Sequence, residues 1–173
     1  MQNYGEHRII VDDIGTTNRQ AGAINIRVEG PKKLEVGIVS EYGQAKKVTG
    51  DGTIHRDHQP SKAALLARAE EIKGDALTSV ERAQVINTGT SVNVPANVHR
   101  AGPTYGGKNT PAQINSDKSN LADAAARDAD IMVTNTNKLA SQHSAVLENA
   151  ANTVKIKSNA DYDNLFRSFF NNP

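Results

Sequence analysis

The sequence predicts an α+β fold in which short antiparallel strands come first and alanine-rich helices come last. Apolar and polar residues alternate over much of the first fifty residues, as expected of strands that bury one face. From about Ser119 the chain is rich in alanine and carries apolar residues at helical spacing. We therefore expect a single domain over residues 1–173, with N-terminal strands (1–49), a central strand/loop/helix unit (50–115) and a helical C-terminal part (116–173).

Composition limits the kind of protein this can be. The chain has 173 residues, enough for one domain with its own core, but only 4% are aromatic and none is tryptophan. The 20 lysines and arginines nearly balance the 19 acids, which argues against a nucleic-acid binder coated in positive charge and still permits a local cationic site. Because cysteine is absent, any metal must be held by His, Asp, Glu or Asn.

The sequence shows no signal peptide and no membrane-spanning segment. The stretch "MQNYGEHRIIVDD" lacks the basic segment and apolar run of a signal peptide. No stretch approaches the roughly 18 apolar residues that a membrane span requires. We expect a soluble domain with no membrane partner, and Met1 is either native or the start of a fragment.

The predicted strands end at glycine, proline or aspartate. Three segments alternate near the N-terminus, at residues 7–13, 22–30 and 33–43, and in the second Ile24, Ile26 and Val28 share one face. A glycine turn at residues 50–52 then leads into a short strand, Thr53–His58, which runs to Pro60.

Helix signals follow at once. Ser61 is a plausible N-cap for a helix that stops at Gly74 and buries Leu65, Leu66, Ala69 and Ile72. A second helix is predicted from the capping box Thr78–Glu81 to about Asn87. Residues 90–113 are predicted as a long loop with a brief strand-like "SVNV".

The C-terminal part is predicted to be helical with one interruption. "TNTN" at 134–137 indicates a break between two helices, and a last helix over 160–170 carries all three phenylalanines, so it should dock on the body.

Two stretches carry candidate chemistry. In "GTIHRDHQPS" the aspartate and the histidine that follows it could both reach a pocket from the strand end, one as a metal ligand and the other as a base. In "VPANVHRAGPTYGGKN", His99 and Asn109 are adequate ligands for a hard or borderline divalent metal. The simpler alternative is a polar strand end on the surface and a solvated or capping histidine.

Together these stretches resemble the HNH (ββα-metal) nuclease domains at the C-termini of bacterial polymorphic toxins, such as Rhs and contact-dependent effectors. The resemblance covers about residues 50–115. It implies an endonuclease that hydrolyses phosphodiester bonds with a divalent metal (Mg²⁺, Mn²⁺, Zn²⁺ or Ni²⁺). Two features depart from the family pattern: a second metal-helix histidine is missing, and residues 61–73 insert a helix between the motif halves.

Carried over to this chain, the resemblance gives roles to individual residues. His58 would be the general base with Arg56 beside it as a catalytic residue, and the metal ligands would be Asp57, His99 and Asn109. Phosphate contacts would come from His55, Arg100 and Lys108, with Lys46 and Lys47 also near the motif in sequence.

The same resemblance implies partners and a place of action. The substrate would be nucleic acid, DNA rather than RNA, and a cognate immunity protein would neutralise the toxin in the cell that makes it. The toxin would be delivered into the cytoplasm of a competitor cell. Two alternatives stay open: a non-enzymatic binding or structural module of a secretion or phage-like particle, and nucleotide or ADP-ribose chemistry on the glycine-rich loop "GPTYGGKN".

Overall fold

The computed structural model describes residues 34–170 and, before them, the backbone of two short strands. The chain divides into two compact units, Met1–Lys33 and Leu34–Pro173. In the first unit, strand β1 (Ile9–Ile10) pairs antiparallel with β2 (Arg27–Val28). These pairs confirm strand within the segments predicted at 7–13 and 22–30, and the rest of both segments lies outside the described residues.

The second unit contains a three-stranded antiparallel sheet in the order β3 (Val39–Glu41), β5 (Thr90–Pro95), β4 (Ile54–His58). In the central strand, Val92 and Val94 are fully buried against helices. Its polar residues Ser91 and Asn93, on the opposite face, are buried as well. The strand predicted at Thr53–His58 is confirmed, one residue shorter.

The loop predicted over residues 90–113 is correct only in part: the strand-like "SVNV" lies within β5, but the rest of the segment holds more regular structure than predicted. The segment holds the central strand of the sheet, helix α4 (Ala96–Ala101), a 3₁₀ turn (Tyr105–Gly107) and the first turn of α5 (Pro111–Ser119). Its Ser, Thr and Asn residues look like loop residues by composition. They form the central strand because β5 gains hydrogen-bonded neighbours on both edges, which the local pattern "SVNV" does not reveal.

The strand predicted over 33–43 is shorter than expected. Gly37 has a φ of 88°, in the left-handed region, and forms part of a turn. Strand β3 therefore begins only at Val39. Tyr42–Ala45 then forms a one-turn helix, α1. Strand β3 pairs antiparallel with β5.

Both helices predicted after the fourth strand are confirmed with their caps. Helix α2 (Lys62–Lys73) begins where the Ser61 side chain accepts the Ala64 N–H, and it ends at Gly74 with a φ of 77°. Helix α3 (Ser79–Thr88) has the predicted capping box. The remaining helices in the described part are α6 (Leu121–Leu139), α7 (Ser144–Val154) and α8 (Asn159–Phe170).

The helix break predicted at 134–137 is wrong, because α6 runs through it. Thr134 and Thr136 donate their hydroxyl hydrogens to the carbonyls of Asp130 and Met132, four residues earlier. Bonding back along the helix satisfies these polar side chains without ending it. The interruption comes at Ala140, after which a 3₁₀ turn leads into α7.

Two buried clusters hold the second unit together. One joins the valines of β5 to α6 and α7, and the other joins α2, α3 and α8. Tyr162 and Phe166 of α8 are each only 1% exposed, which confirms that the last helix docks on the body. In the predicted stripe of α2, Leu65 and Ala69 are buried, whereas Leu66 and Ile72 are partly buried.

The architecture confirms an α+β fold that is mostly helical. No helix in residues 34–170 has both the length and the hydropathy needed to cross a membrane.

Candidate active site

A cleft of about 570 Å³ opens where β4 ends and α2 begins. Its walls come from the end of β4, the first turn of α2, α3, α4 and the segment that leads to α5. Five residues predicted to act chemically line it together: Arg56, Asp57, His58, His99 and Asn109. The sheet and the helix start thus bring the two sequence stretches to one place.

His58 is held in one orientation inside this cleft. Its side chain is 94% buried, its ring centroid lies 4.3 Å from that of Tyr42, and its Nε2 lies 3.2 Å from the carbonyl oxygen of Ile86. A carbonyl only accepts hydrogen bonds, so Nε2 carries the proton and Nδ1 keeps its lone pair. Burial, aided by the nearby charge of Lys62, lowers the pKa of His58 to about 4. The imidazole is therefore neutral at neutral pH.

His99 joins two residues of the neighbouring strand. Its Nε2 lies 3.3 Å from Asp57 Oδ1, and its Nδ1 lies 3.0 Å from His55 Nδ1. The alternation of β4 puts His55 and Asp57 on one face of the strand, and α4 presents His99 to that face. The Tyr105 ring packs edge-on against His99 at 4.9 Å between centroids. Asp57, His99 and His55 thus form a continuous polar chain.

The second oxygen of Asp57 is also occupied. Gln59 donates from Nε2 to Asp57 Oδ2 over 3.2 Å, and its side chain is fully buried. Both carboxylate oxygens are therefore oriented by partners. No pattern in the sequence indicated this role, since a glutamine between a strand end and a proline is not distinctive.

Asn109 brings an unused oxygen to the cleft. Its amide nitrogen donates to Ser61 Oγ over 2.8 Å, while its Oδ1 is buried without a hydrogen-bond partner. An unpartnered buried amide oxygen is unfavourable unless something binds it. Across residues 34–170, no group of three or more His, Asp and Glu side chains is arranged to hold a metal ion. Asp57, His99 and Asn109 line this cleft together, and their oxygen and nitrogen atoms are of the kinds that bind a hard or borderline cation.

The arginines and the lysine that were predicted to act at the site lie in different surroundings. Arg56 lines the cleft, but it donates from Nε to Ala45 O over 2.9 Å and from Nη2 to Val48 O. Lys108 donates to the carbonyl of Arg100 over 2.9 Å, and neither residue is part of the cleft lining.

His55 lies beside the main cleft. It lines a second cleft that shares Tyr42, Arg56 and His99 with the first. Burial lowers the pKa of His55, and the neighbouring His99 and Arg100 add to that effect.

Three lining residues were not predicted to belong to the site. Tyr42 packs on His58, Ser61 orients Asn109, and Lys62 opens α2 beside His58. Ser61 was recognised as a cap, and its contact with Asn109 depends on a fold that joins residues 48 positions apart.

Comparison with known proteins gives one informative similarity. Over 108 residues, which is 62% of this chain, the sequence is 45% identical to Deoxyribonuclease CdiA of Dickeya dadantii (strain 3937). The chain spans only 3% of the length of that protein. No family model and no solved structure matches the chain.

Proposed function

We propose that this chain is a deoxyribonuclease that acts as a toxin in a competitor cell, of the HNH (ββα-metal) type. The observation that carries the proposal is the cleft, in which a neutral, oriented His58 lies beside the Asp57–His99 pair. The similarity to a protein named as a deoxyribonuclease supports DNA as the substrate.

His58 acts as the general base. Its Nδ1 lone pair takes the proton of the attacking water, while the carbonyl of Ile86 holds Nε2–H and so fixes the direction of the lone pair. Because the pKa of His58 is near 4, the imidazole is always ready to accept a proton at neutral pH. Such a weak base needs an acidified water as its partner.

A divalent cation would be held by Asp57, His99 and the free amide oxygen of Asn109. Such a cation, whether Mg²⁺, Mn²⁺, Zn²⁺ or Ni²⁺, lowers the pKa of a bound water and stabilises negative charge on phosphate oxygens. The protein's own part is orientation. Gln59 fixes Asp57, His55 fixes His99, and Ser61 fixes Asn109.

The chain's composition fits a nuclease that cuts duplex DNA with little sequence preference. The net charge is +1, so binding would depend on a few local contacts to phosphates. With 4% aromatic residues, few rings are available to stack on bases. We also propose delivery by a longer polypeptide and neutralisation by a cognate immunity protein.

Cleavage assays test the proposal directly. Purified full chain is incubated with plasmid DNA and with RNA, in Mg²⁺, Mn²⁺, Zn²⁺, Ni²⁺ or EDTA. His58→Ala should reduce the cleavage rate by about 10²- to 10⁴-fold, the usual contribution of a general base. His143→Ala is the matched control, because His143 lies in the turn before α7 and outside the cleft lining.

Two results would contradict this function. If DNA stays intact with every metal, the nuclease function is contradicted. That result would favour a binding or structural module of a secretion or phage-like particle. Cleavage that survives both EDTA and His58→Ala would show that the activity does not use this cleft as described.

A further inference from the structure

We propose that Lys62 is the side chain of this cleft that binds the substrate phosphate. This inference rests on the proposed nuclease function and adds a binding residue to the same cleft. The ligand class is a phosphodiester of duplex DNA.

Lys62 stands beside the proposed base. It is the first residue of α2, is exposed, and lines the cleft together with His58 and Asn109. Because both residues line this one cleft, a phosphate bound by Lys62 would lie in the same cleft as His58, where the attacking water must be.

Two other cations near the cleft are engaged elsewhere. Arg56 donates two hydrogen bonds to the carbonyls of Ala45 and Val48, which hold its guanidinium against the end of α1. Lys108 bonds the Arg100 carbonyl outside the cleft. Among the described residues that line the cleft, Lys62 is the one lysine or arginine with neither a hydrogen bond nor an ion pair.

The helix turn that holds Lys62 does not stabilise its charge. The first turn of α2 contains no acidic residue, and a helix start carries partial positive charge that repels a lysine. A bound phosphate would offset both the ammonium charge and the partial charge of the helix start.

A lysine is a suitable phosphate contact for a nuclease without sequence preference. Its ammonium is a compact charge on a flexible stem and imposes no planar geometry on its partner. Contacts to phosphate position the duplex without reading bases. Loss of Lys62 should therefore weaken binding to the same extent on different DNA sequences.

The test measures DNA binding separately from cleavage. The full chain carrying His58→Ala is titrated against fluorescent duplexes of two unrelated sequences in Mg²⁺, at several KCl concentrations. Adding Lys62→Ala should weaken binding about tenfold, the scale of a lost hydrogen bond to a charged group. It should also reduce the slope of log K against log salt by about 0.9. Lys62→Arg should preserve both values.

Lys138→Ala in the same background is the matched control. Lys138 is exposed in the last turn of α6, far in sequence from the cleft stretches and absent from the cleft lining. The proposal is overturned if Lys62→Ala changes neither affinity nor salt slope, or if Lys138→Ala changes them equally. Either result leaves the nuclease function standing, provided that the wild-type chain cleaves DNA. A wild-type chain that neither binds nor cleaves DNA overturns both proposals.

Discussion

The Nδ1 atoms of His55 and His99 lie 3.0 Å apart, so the two imidazoles share a single hydrogen. Asp57 determines which of the two histidines donates this hydrogen. Its carboxylate faces His99 Nε2 at 3.3 Å and only accepts, which places a proton on that nitrogen. In the metal-free chain His99 Nδ1 is then the acceptor and His55 Nδ1–H the donor.

Metal binding should reverse these tautomers. A cation held by Asp57 and His99 needs the lone pair of His99 Nε2, which moves the proton of His99 to Nδ1 and makes His55 Nδ1 the acceptor. Imidazole ¹⁵N spectra with and without Zn²⁺ would show the change on both histidines. Spectra that leave His99 unchanged while Zn²⁺ binds would place the metal elsewhere.

The buried His58 should make the fold sensitive to acid. In the unfolded chain its imidazole takes a proton below about pH 6.5, whereas in the folded chain its pKa is about 4. Protonation therefore favours the unfolded state in that window. The free energy of unfolding should fall by about 3 kcal/mol from this group between pH 6.5 and pH 4.

Urea unfolding of the wild type and of His58→Gln at several pH values measures that contribution. The free energy of unfolding of the wild type minus that of His58→Gln should decrease steadily as the pH falls through this window, because glutamine does not titrate. Parallel curves would mean that His58 titrates normally in the folded chain.

Asn109 should control metal affinity through its free oxygen. Asn109→Ala removes that oxygen, and we expect calorimetric Mn²⁺ affinity to fall about 10- to 100-fold, as for other supporting groups of metal sites. Asn109→Asp keeps an oxygen and adds charge, so it should bind Mn²⁺ at least as tightly as the wild type. Asn149→Ala, an exposed substitution in α7, is the control. If Asn109→Ala leaves the Mn²⁺ affinity unchanged, Asn109 is not a metal ligand.

Gln59 should act by positioning Asp57. Gln59→Leu preserves the buried volume but removes the donor to Asp57 Oδ2. We expect Mn²⁺ affinity to fall about tenfold, with a thermal midpoint close to that of the wild type. Exposed Gln84 of α3 provides the comparison through Gln84→Leu. If affinity is kept and only stability falls, Gln59 is a packing residue.

Arg56 should matter more for stability than for cleavage. Lysine retains the charge, but its single amine cannot bond the carbonyls of Ala45 and Val48 in the same way. Arg56→Lys should lower the free energy of unfolding by about 1–2 kcal/mol while kcat/KM stays near the wild-type value. A large drop in kcat/KM with unchanged stability would instead support the catalytic role predicted from the sequence.

The parts of the fold that sequence analysis predicted well depend on local signals. The Ser61 cap, the Gly74 stop and the Thr78–Glu81 capping box are each decided within one turn of helix, and all three are present. The alternation in "IHRDH" likewise fixed which residues share a face. The extent of the loop predicted over 90–113 and the break predicted at 134–137 were both inferred from polar composition. In the fold, β5 pairs along both edges, and the threonines of α6 bond back along their own helix.

By itself the sequence determined which residues are candidates for the site. These are an aspartate and a histidine at a strand end, with His99 and Asn109 in a later stretch. Only the tertiary structure decided their partners. The sequence left open whether His58 faces His99, and the fold instead pairs His99 with Asp57 and His55. It turns His58 toward the carbonyl of Ile86. The reason is physical, because side chains of adjacent strand residues point to opposite faces, and each face meets a different helix.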